Sequence, residues 1–415
     1  MSEEKAVLKI GVFGGRRGEA MINWCKVTGH AAVTSVCDRD AGVVRYLSEK
    51  YPGTKIEFFS DFDEFLKSNI DAVVVANYAT EHAPYAIRCL EAGKHVLCEV
   101  LPCQTMAEAV ALVEAVEKSG LVYAYAENYC YAPATMEMRR LYRLGKLGDF
   151  EYGEGEYIHN TEYVWPMLTY GERDHWRNMM HANFYCTHSL GPLVHITGLR
   201  PVRVTGFELP YNDRTARMGK RSGVAGIEMV TLENGALVKS IHGNLDKDSM
   251  RYSMYGSKGR IESAQHDMRI GGIEKIFVNV DSYEGANDAV LKIYDPVSEI
   301  ASEYKKIGHV GSDFFAMEYF VDAINGKRSD ELIDVYEALN MSIPGLLAYF
   351  SVLSGGISMK IPDLRDRSQR DEWRNDNRCT DPKVAGDQLI PSYSKSDIIV
   401  PDEVYELIKK MKTND

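Results

Sequence analysis

The chain has 415 residues, of which 45% are hydrophobic and 26% charged, and its formal net charge is -12 at pH 7. This length favours two domains over one core, and the acidic balance argues against nucleic acid or an anionic membrane surface as a partner. No apolar run approaches the roughly 20 residues that span a bilayer, and the charged start, Met1 to Lys9, lacks the pattern of a secretory signal.

The first 126 residues alternate short apolar runs with helical segments. The apolar runs, which we interpret as strands, are Leu8 to Phe13, Val33 to Cys37, Asp71 to Ala76, His95 to Glu99 and Val122 to Ala126. One intervening helix is predicted between Pro84 and Gly93, and another after the capping box Thr105 to Glu108. Strand and helix in alternation predict a doubly wound parallel sheet, that is, an N-terminal Rossmann domain.

The rest of the chain is dominated by strands, and it predicts an α+β domain with a large, open, mostly antiparallel sheet. A hairpin is expected around Glu233-Asn234-Gly235, because Asn-Gly favours a tight turn. Helices are predicted at Pro133 to Leu144, Asp313 to Asn325 and Asp334 to Leu353. Strands are predicted at Phe150 to His159, Pro201 to Leu209, Ile227 to Leu232, Ala236 to Gly243, Arg251 to Tyr255 and Arg260 to Ser263. We therefore expect a Rossmann domain over 1–128, a substrate domain over 129–362, and a tail over 363–415 that wraps the surface.

The first strand ends in a glycine cluster that favours a dinucleotide. Such a turn lets backbone N–H groups and the positive end of a helix approach a pyrophosphate. The pattern departs from a strict G-x-G-x-x-G, since its glycines are Gly11, Gly14, Gly15 and Gly18. We predict cofactor contacts at Gly14, Gly15, Arg16, Arg17 and Gly18.

A carboxylate follows the second strand at the position that reads the ribose. Asp38 lies 20 residues after Gly18, where it can accept both ribose hydroxyls and repel a 2′-phosphate. The adjacent Arg39 is the kind of group that binds a 2′-phosphate, so it favours NADP instead. We predict that the cofactor is NAD, with Asp38 and Arg39 beside the ribose.

The cysteines and histidines give no pattern of a metal site. Eight scattered cysteines without a C-x-x-C pair are typical of a reduced, cytoplasmic protein. His159, His181 and His195 do not share the spacing of one helix face, so we predict no metal.

Two segments resemble the Gfo/Idh/MocA oxidoreductases. They are Asp71 to His82 together with Glu91-Ala-Gly-Lys-His-Val-Leu-Cys-Glu99, and the helical end from Phe320 to Pro362. The resemblance implies a Rossmann domain followed by an open-sheet domain, assembled as a homo-oligomer, either a dimer or a tetramer. It also implies cofactor contacts at Asn77, His82, Glu99 and Asn128.

The chain departs from the sugar dehydrogenases of that family at two motifs. Those enzymes follow the glutamate with lysine and proline, whereas this chain has Glu99-Val100-Leu101-Pro102. They also place an aspartate four residues before the functional histidine. The matching histidine is His188, and the position four residues earlier is Phe184.

The NAD-dependent glycosidases of glycoside hydrolase family 109 resemble the chain at these points. That branch also lacks the lysine, and it has stretches similar to Glu127-Asn-Tyr-Cys-Tyr131, Tyr157-Ile-His159 and Tyr185-Cys-Thr-His-Ser-Leu-Gly-Pro192. The resemblance implies functional roles for Glu127, Tyr157, Tyr185 and His188. The region between Asn160 and Asn183 differs, so the resemblance does not identify the sugar. Trp165, Trp176 and Arg177 there form either a sugar-stacking loop or plain packing.

Three functions remain open. The first is a redox-neutral glycosidase, in which the sugar is oxidised at C3, loses its C1 group by elimination, and is hydrated and reduced again. His188 would then serve the C3 hydroxyl, either Tyr157 or Tyr185 the C2 proton, and Glu127 the nicotinamide end or a substrate hydroxyl. The second is a sugar dehydrogenase or 3-oxidase that releases NADH. The third is a non-catalytic sensor that binds NAD and a small ligand.

Overall fold

The computed structural model describes residues 7–263, 275–281, 289–296 and 307–412, so the first six residues of the charged start lie outside it. The chain forms two compact units. The first comprises Met1–Gln104, Glu108–Tyr131 and Ser298–Leu339, and the second comprises Thr105–Ala107, Ala132–Val297 and Asn340–Asp415. The first unit thus includes residues 298–339, a segment that the sequence analysis placed in the substrate domain.

The first unit contains a parallel sheet, which confirms the predicted Rossmann fold. Among the described residues it has six strands in the order β3-β2-β1-β4-β5-β6. They are β1 (Leu8–Phe13), β2 (Ala31–Cys37), β3 (Glu57–Phe59), β4 (Ala72–Val75), β5 (His95–Cys98) and β6 (Tyr123–Tyr125). β4 is buried at all four positions, as its apolar sequence requires. The strand order reverses between β1 and β4, the position at which such sheets bind ligands.

Helices of the first unit connect these strands. The α-helices are Gly15–Thr28, Ala41–Lys50, Phe62–Leu66, His82–Glu91, Met106–Ser119 and Ser312–Ile324, and the 3₁₀ turns are Ala79–Glu81, Asn128–Tyr131 and His309–Gly311. The last helix returns from far along the chain. Its Phe314 ring lies 6.4 Å from the buried Trp24 ring of the first helix. This aromatic packing connects the Ser312–Ile324 helix to the first helix of the Rossmann unit.

The second unit contains the predicted open sheet. Within the described ranges it has nine strands in the order β14-β13-β12-β11-β7-β10-β9-β8-β15. They are β7 (Phe150–Ile158), β8 (Pro201–Glu208), β9 (Ala225–Leu232), β10 (Leu237–Gly243), β11 (Ser249–Gly256), β12 (Gly259–Ser263), β13 (Ile276–Asp281), β14 (Ala289–Tyr294) and β15 (Met359–Lys360). β9 and β10 form the predicted hairpin, with Gly235 at a positive φ of 89° in the turn. β7 and β10 pair in parallel.

Several helices lie in the second unit. The α-helices are Pro133–Arg143, Trp165–Thr169, Trp176–Met179, Thr187–Thr197, Asp213–Arg217, Arg367–Asp371, Pro382–Ala385 and Asp402–Lys412, and the 3₁₀ turns are Glu162–Val164 and Gly386–Gln388. The Val335–Leu353 helix begins in the first unit and continues into the second from Asn340. Thr187–Thr197 packs directly on the sheet at Gly155, where any Cβ would clash with the Ser189 carbonyl. Ser189 and Ser240 hydroxyls, 2.7 Å apart, bind this helix to β10.

The C-terminal tail ends in a helix that the sequence analysis did not predict. Ile408 of the Asp402–Lys412 helix joins Trp165 and Met218 in a small buried cluster. Trp165 is only 2% exposed, and its indole donates to Asn178 Oδ1 at 3.0 Å. Trp165 is therefore a packing residue. Among the described residues, no helix is long and apolar enough to cross a membrane.

Candidate active site

The glycine turn after β1 has the conformation that a pyrophosphate site requires. Gly14 precedes the Gly15–Thr28 helix at φ 93°, and a Cβ there would clash with the backbone of Ala76 at the end of β4. The first turn of this helix contains no acidic residue, while Arg16 and Arg17 lie in it. Two arginines, a turn of glycines and a helix N-terminus thus lie together where the strand order of the sheet reverses.

Asp38, at the end of β2, supports the glycine turn. Its carboxylate accepts hydrogen bonds from the backbone N–H groups of Gly15, at 2.8 Å, and of Asp40, at 2.9 Å. Burial raises the pKa of Asp38, although these N–H donors act in the opposite direction. Arg39 stacks over the Tyr78 ring at 3.7 Å and pairs with Glu81 at 3.3 Å. The engaged Arg39 and the carboxylate of Asp38 both favour NAD over its 2′-phosphate.

Two predicted asparagines present buried, unsatisfied amide oxygens. Oδ1 of Asn77 and Oδ1 of Asn128 have no hydrogen-bond partner among the residues that the structure describes. A buried acceptor of this kind is costly unless a ligand or water satisfies it. Both residues follow the carboxyl ends of parallel strands, β4 and β6. With the glycine turn and Asp38, they form a residue set that fits NAD.

His82 is a structural residue that contacts the backbone of Asn77 and of the loop after β5. Its ring is fully buried between two backbone carbonyl oxygens, Leu101 O at 2.8 Å from Nδ1 and Asn77 O at 3.2 Å from Nε2. Burial lowers the pKa of His82 to about 4, so the ring is neutral at pH 7. His82 thus holds Asn77 and the loop after β5 in place.

Glu99 belongs to a charge network that the sequence analysis did not anticipate. Arg17 pairs with Glu99 at 2.6 Å and makes two hydrogen bonds with Asp313, at 2.8 and 3.0 Å. His309 Nδ1 lies 3.1 Å from the same Asp313 carboxylate. Burial raises the pKa of Glu99 to about 7 against the attraction of Arg17. For Asp313, burial also opposes the charge, but Arg17 and His309 hold its pKa well below the usual range.

Glu127 is completely buried directly after β6. Its Oε1 accepts a hydrogen bond from the backbone N–H of Tyr129 at 3.3 Å. Like Asp38, Asn77 and Glu99, it follows the carboxyl end of a strand. The first unit therefore places predicted cofactor residues after the carboxyl ends of its parallel strands, where such sheets bind ligands.

The second unit brings together the two tyrosines and the histidine. The ring of His188 lies 4.6 Å from the ring of Tyr157 and 5.1 Å from that of Tyr185, measured between centroids. The close approach of helix and sheet at Gly155 places His188 beside Tyr157 on β7. The Tyr157 hydroxyl is 3.1 Å from Nδ1 of His159. Proton-transferring groups thus surround one small region.

Trp176 and Arg177 pack next to this cluster, against Tyr185. The Trp176 and Tyr185 rings stack at 6.3 Å with an interplanar angle of 24°. The Arg177 guanidinium lies 4.3 Å from the centroid of the Trp176 ring and 5.8 Å from that of Tyr185. Trp176 and Arg177 therefore accompany the catalytic candidates, whereas Trp165 does not.

The histidines that resembled a metal cluster take separate roles. His181 stacks flat on Tyr349 at 4.1 Å, and burial lowers its pKa to about 3. His159 instead contacts Tyr157. Within the described part of the chain, no group of three or more His, Cys, Asp or Glu side chains is arranged to hold a metal ion.

Sequence reasoning missed two residues in particular. Asp313 lies 296 residues after Arg17, and nothing in either local sequence indicates their pairing. Lys220 is 3% exposed, and its amine donates to Asn244 Oδ1 at 2.6 Å. It comes from an ordinary polar stretch, Gly219 to Ser222, whose burial no periodicity would reveal.

Comparison with known families gives a match in each of two parts of the chain. Residues 7–127 match the Gfo/Idh/MocA family, described as an oxidoreductase family with an NAD-binding Rossmann fold. The N-terminal part of the chain is thus similar to the NAD-binding domain of the Gfo/Idh/MocA oxidoreductases. Residues 217–374 match the C-terminal domain of glycosyl hydrolase 109.

Two relatives of the chain have the names of glycoside hydrolases. The chain is 25% identical to a glycosyl hydrolase family 109 protein of Solibacter usitatus, over 88% of this chain and 89% of that protein. It is 26% identical to an alpha-N-acetylgalactosaminidase of Shewanella oneidensis, over 86% and 85% of the two chains.

Solved structures support the fold. An oxidoreductase domain protein of Kribbella flavida superimposes with a TM-score of 0.69 at 20% identity, covering 86% of this chain and all of that one. A levoglucosan dehydrogenase in complex with NADH and levoglucosan superimposes with a TM-score of 0.68 at 16% identity, with the same coverage. The chain is an NAD-dependent enzyme of the carbohydrate-acting type.

Proposed function

We propose that this enzyme is a redox-neutral glycosidase. The observation that carries the proposal is the cluster of Tyr157, Tyr185 and His188, which resemble the functional residues of the family 109 branch and meet in the second unit. The match of residues 217–374 to the glycosyl hydrolase 109 C-terminal domain supports it independently.

The cofactor residues of the proposal are those of the first unit. Gly14, Gly15, Arg16, Arg17 and Gly18 would border the pyrophosphate. Asp38 and Arg39 would border the ribose. Asn77, His82, Glu99 and Asn128 complete the set, of which His82 acts by holding the Asn77 loop. When bound, NAD would accept a hydride from the sugar and later return it.

His188 would remove the proton of the C3 hydroxyl while C3 becomes a carbonyl. That carbonyl acidifies the proton on C2, so a modest base can remove it. The pair of electrons left on C2 then expels the group on C1, water adds to C1, and the proton returns to C2. Glu127 would order the nicotinamide end or a substrate hydroxyl from its buried position after β6.

Tyr157 is the better candidate for the C2 base. Its hydroxyl lies 3.1 Å from His159 Nδ1, so the imidazole can take the phenolic hydrogen as the tyrosine oxygen acts on C2. Tyr185 stacks on Trp176 and is placed to bind the sugar face.

Tyrosine variants test this assignment. We expect Tyr157→Phe to slow exchange of the C2 hydrogen with solvent deuterium by at least about 100-fold, because removing one general base costs about that much. Tyr185→Phe should weaken sugar binding more than it slows exchange. Tyr163→Phe is the control, because Tyr163 is 72% exposed. Exchange measured by NMR that is equally fast in wild type and Tyr157→Phe would refute the role of Tyr157.

A dehydrogenase that releases NADH is the second candidate. The same His188 and tyrosines would perform its single oxidation, and the fold is that of the sugar dehydrogenase above. The absent family lysine, replaced by Val100, counts against it.

The proposal also places the enzyme in the cytoplasm as a homodimer or homotetramer. All eight cysteines are buried, which suits a reducing compartment. The outer face of the nine-stranded sheet carries exposed Leu237 and Tyr255, and a groove of about 410 Å³ lies on it between Tyr152 and Arg260. Such a face suits self-association.

A further inference from the structure

Lys220 is a buried cation that lies 5.7 Å from the Trp165 ring and connects to the tyrosine–histidine cluster through Asn244. It is 3% exposed, close to the 5% of His188, which a substrate must also reach. Its Nζ donates one hydrogen bond, to Asn244 Oδ1 at 2.6 Å, although an ammonium group has three N–H donors. Burial, reinforced by the Arg177 cation, lowers the pKa of Lys220 to about 7. A buried charge without an anionic partner is costly.

Arg177 is a second cation that has no carboxylate partner among the described residues. Its guanidinium lies over the Trp176 ring, and the side chain is half-buried. Among the described residues, neither Arg177 nor Lys220 forms an ion pair with a carboxylate. The charge of Glu208 acts to raise the pKa of Lys220, but less than burial lowers it. The Glu208 carboxylate accepts hydrogen bonds from the backbone N–H groups of Ser394, at 2.9 Å, and Gly223, at 3.3 Å.

Arg177 lies next to one catalytic candidate, and Lys220 connects to another through intervening residues. Arg177 lies 5.8 Å from the centroid of the Tyr185 ring, which contacts His188. On the other side, Asn244, the partner of Lys220, donates to the His159 carbonyl at 3.0 Å, and the His159 ring contacts the Tyr157 hydroxyl. Arg177 therefore borders the cluster that would bind the sugar, and Lys220 connects to that cluster through Asn244 and His159.

We propose that the substrate is a sugar with an anionic substituent, which Lys220 and Arg177 bind together. The inference rests on the proposed function in that the sugar binds at the Tyr157–Tyr185–His188 cluster. An anion between the two cations replaces their mutual repulsion by attraction, and it accepts the remaining N–H donors. The stacking of Arg177 on Trp176 fixes its planar fork, which suits a carboxylate, sulfate or phosphate.

Binding to matched sugars tests the inference. The full chain, loaded with NAD, is titrated calorimetrically with methyl glucuronide and methyl galacturonide and with the neutral methyl glucoside and methyl galactoside. The 6-sulfates and 6-phosphates of the neutral pair form a further arm that identifies the anion. We expect an acidic sugar to bind at least tenfold more tightly than its neutral counterpart. Neutral sugars that bind as tightly as every acidic one would overturn the inference.

Variants test whether Lys220 and Arg177 cause the preference for acidic sugars. We expect the acidic preference to fall at least fivefold in Lys220→Met and in Arg177→Gln. Lys239→Met is the control, because Lys239 pairs with Glu154 at 3.2 Å on the outer face of the sheet, and its preference should equal that of wild type. Arg177 is half-buried, so Arg177→Gln remains informative if Lys220→Met fails to fold. A preference that persists in the folded variants would also overturn the inference.

Chemistry distinguishes this inference from the proposed function. An acidic sugar that binds with the expected preference but yields neither aglycone release nor C2 exchange supports the anion site and refutes the glycosidase. Aglycone release from neutral and acidic glycosides at equal kcat/KM supports the glycosidase and refutes the anion site.

Discussion

Replacing His188 with glutamine should lower kcat by about 10²- to 10⁴-fold, because the variant loses the group that handles the C3 hydroxyl proton. Glutamine keeps a polar side chain of similar reach but cannot accept and return a proton near neutral pH. The backbone carbonyl of residue 188, which accepts from the Tyr252 hydroxyl at 2.6 Å, remains in place. The helix position should therefore survive, and steady-state turnover of an aryl glycoside measures the loss.

The binding of NAD separates loss of chemistry from loss of fold. The predicted cofactor residues lie in the first unit and His188 in the second, so the affinity of the variant for NAD should stay within about twofold of wild type. His30→Gln is the control, because the His30 side chain is 56% exposed on the first unit. Full turnover in His188→Gln would contradict the catalytic role. It would instead favour a non-catalytic protein that binds NAD and a ligand.

Replacing Gly14 with alanine should weaken NAD binding strongly. Gly14 has φ 93°, where a residue with a Cβ is strained by about 1 to 2 kcal/mol, and the added Cβ would clash with backbone atoms of Ala76. Relief requires the glycine turn or the end of β4 to move, and either movement alters the pyrophosphate site. We expect at least a 100-fold loss of affinity for NAD in a fluorescence titration, together with a lower Tm.

Gly29 provides a matched control at the other end of the same helix. It has φ 66°, but no atom lies within 4 Å of the position of its Cβ. Gly29→Ala should therefore cost about 1 kcal/mol of stability and leave the affinity for NAD unchanged. If Gly14→Ala bound NAD as tightly as Gly29→Ala, the turn after β1 would not be the pyrophosphate site.

The sequence predicts the Rossmann sheet well because its signals are local. A continuous apolar run such as residues 72–75 has few alternatives to a buried parallel strand, and Pro84 and Gly93 mark a helix that the structure places at His82–Glu91. The Asn234-Gly235 turn equally indicates its hairpin. The Asp402–Lys412 helix was missed, although its apolar residues do follow a helical period, because the tail was interpreted from its composition alone.

Contacts between distant parts of the chain could not be predicted from local patterns. The pairing of Arg17 with Asp313 and the return of residues 298–339 to the first unit depend on tertiary packing. The burial of Lys220 also depends on residues distant in sequence, Asn244 and Trp165, and the residues next to Lys220 do not indicate these contacts. The family resemblance did identify Tyr157, Tyr185 and His188, and the structure brings these three together. Their catalytic roles stay predictions.

Incubation of the NAD-loaded enzyme with neutral and acidic p-nitrophenyl glycosides in deuterated water tests the central claim most directly. Aglycone release, NADH absorbance and the C2 position of the sugar product are followed in the same reaction. The glycosidase account predicts aglycone release with deuterium at C2 and no net NADH. Accumulation of NADH without aglycone release would contradict it and identify a dehydrogenase.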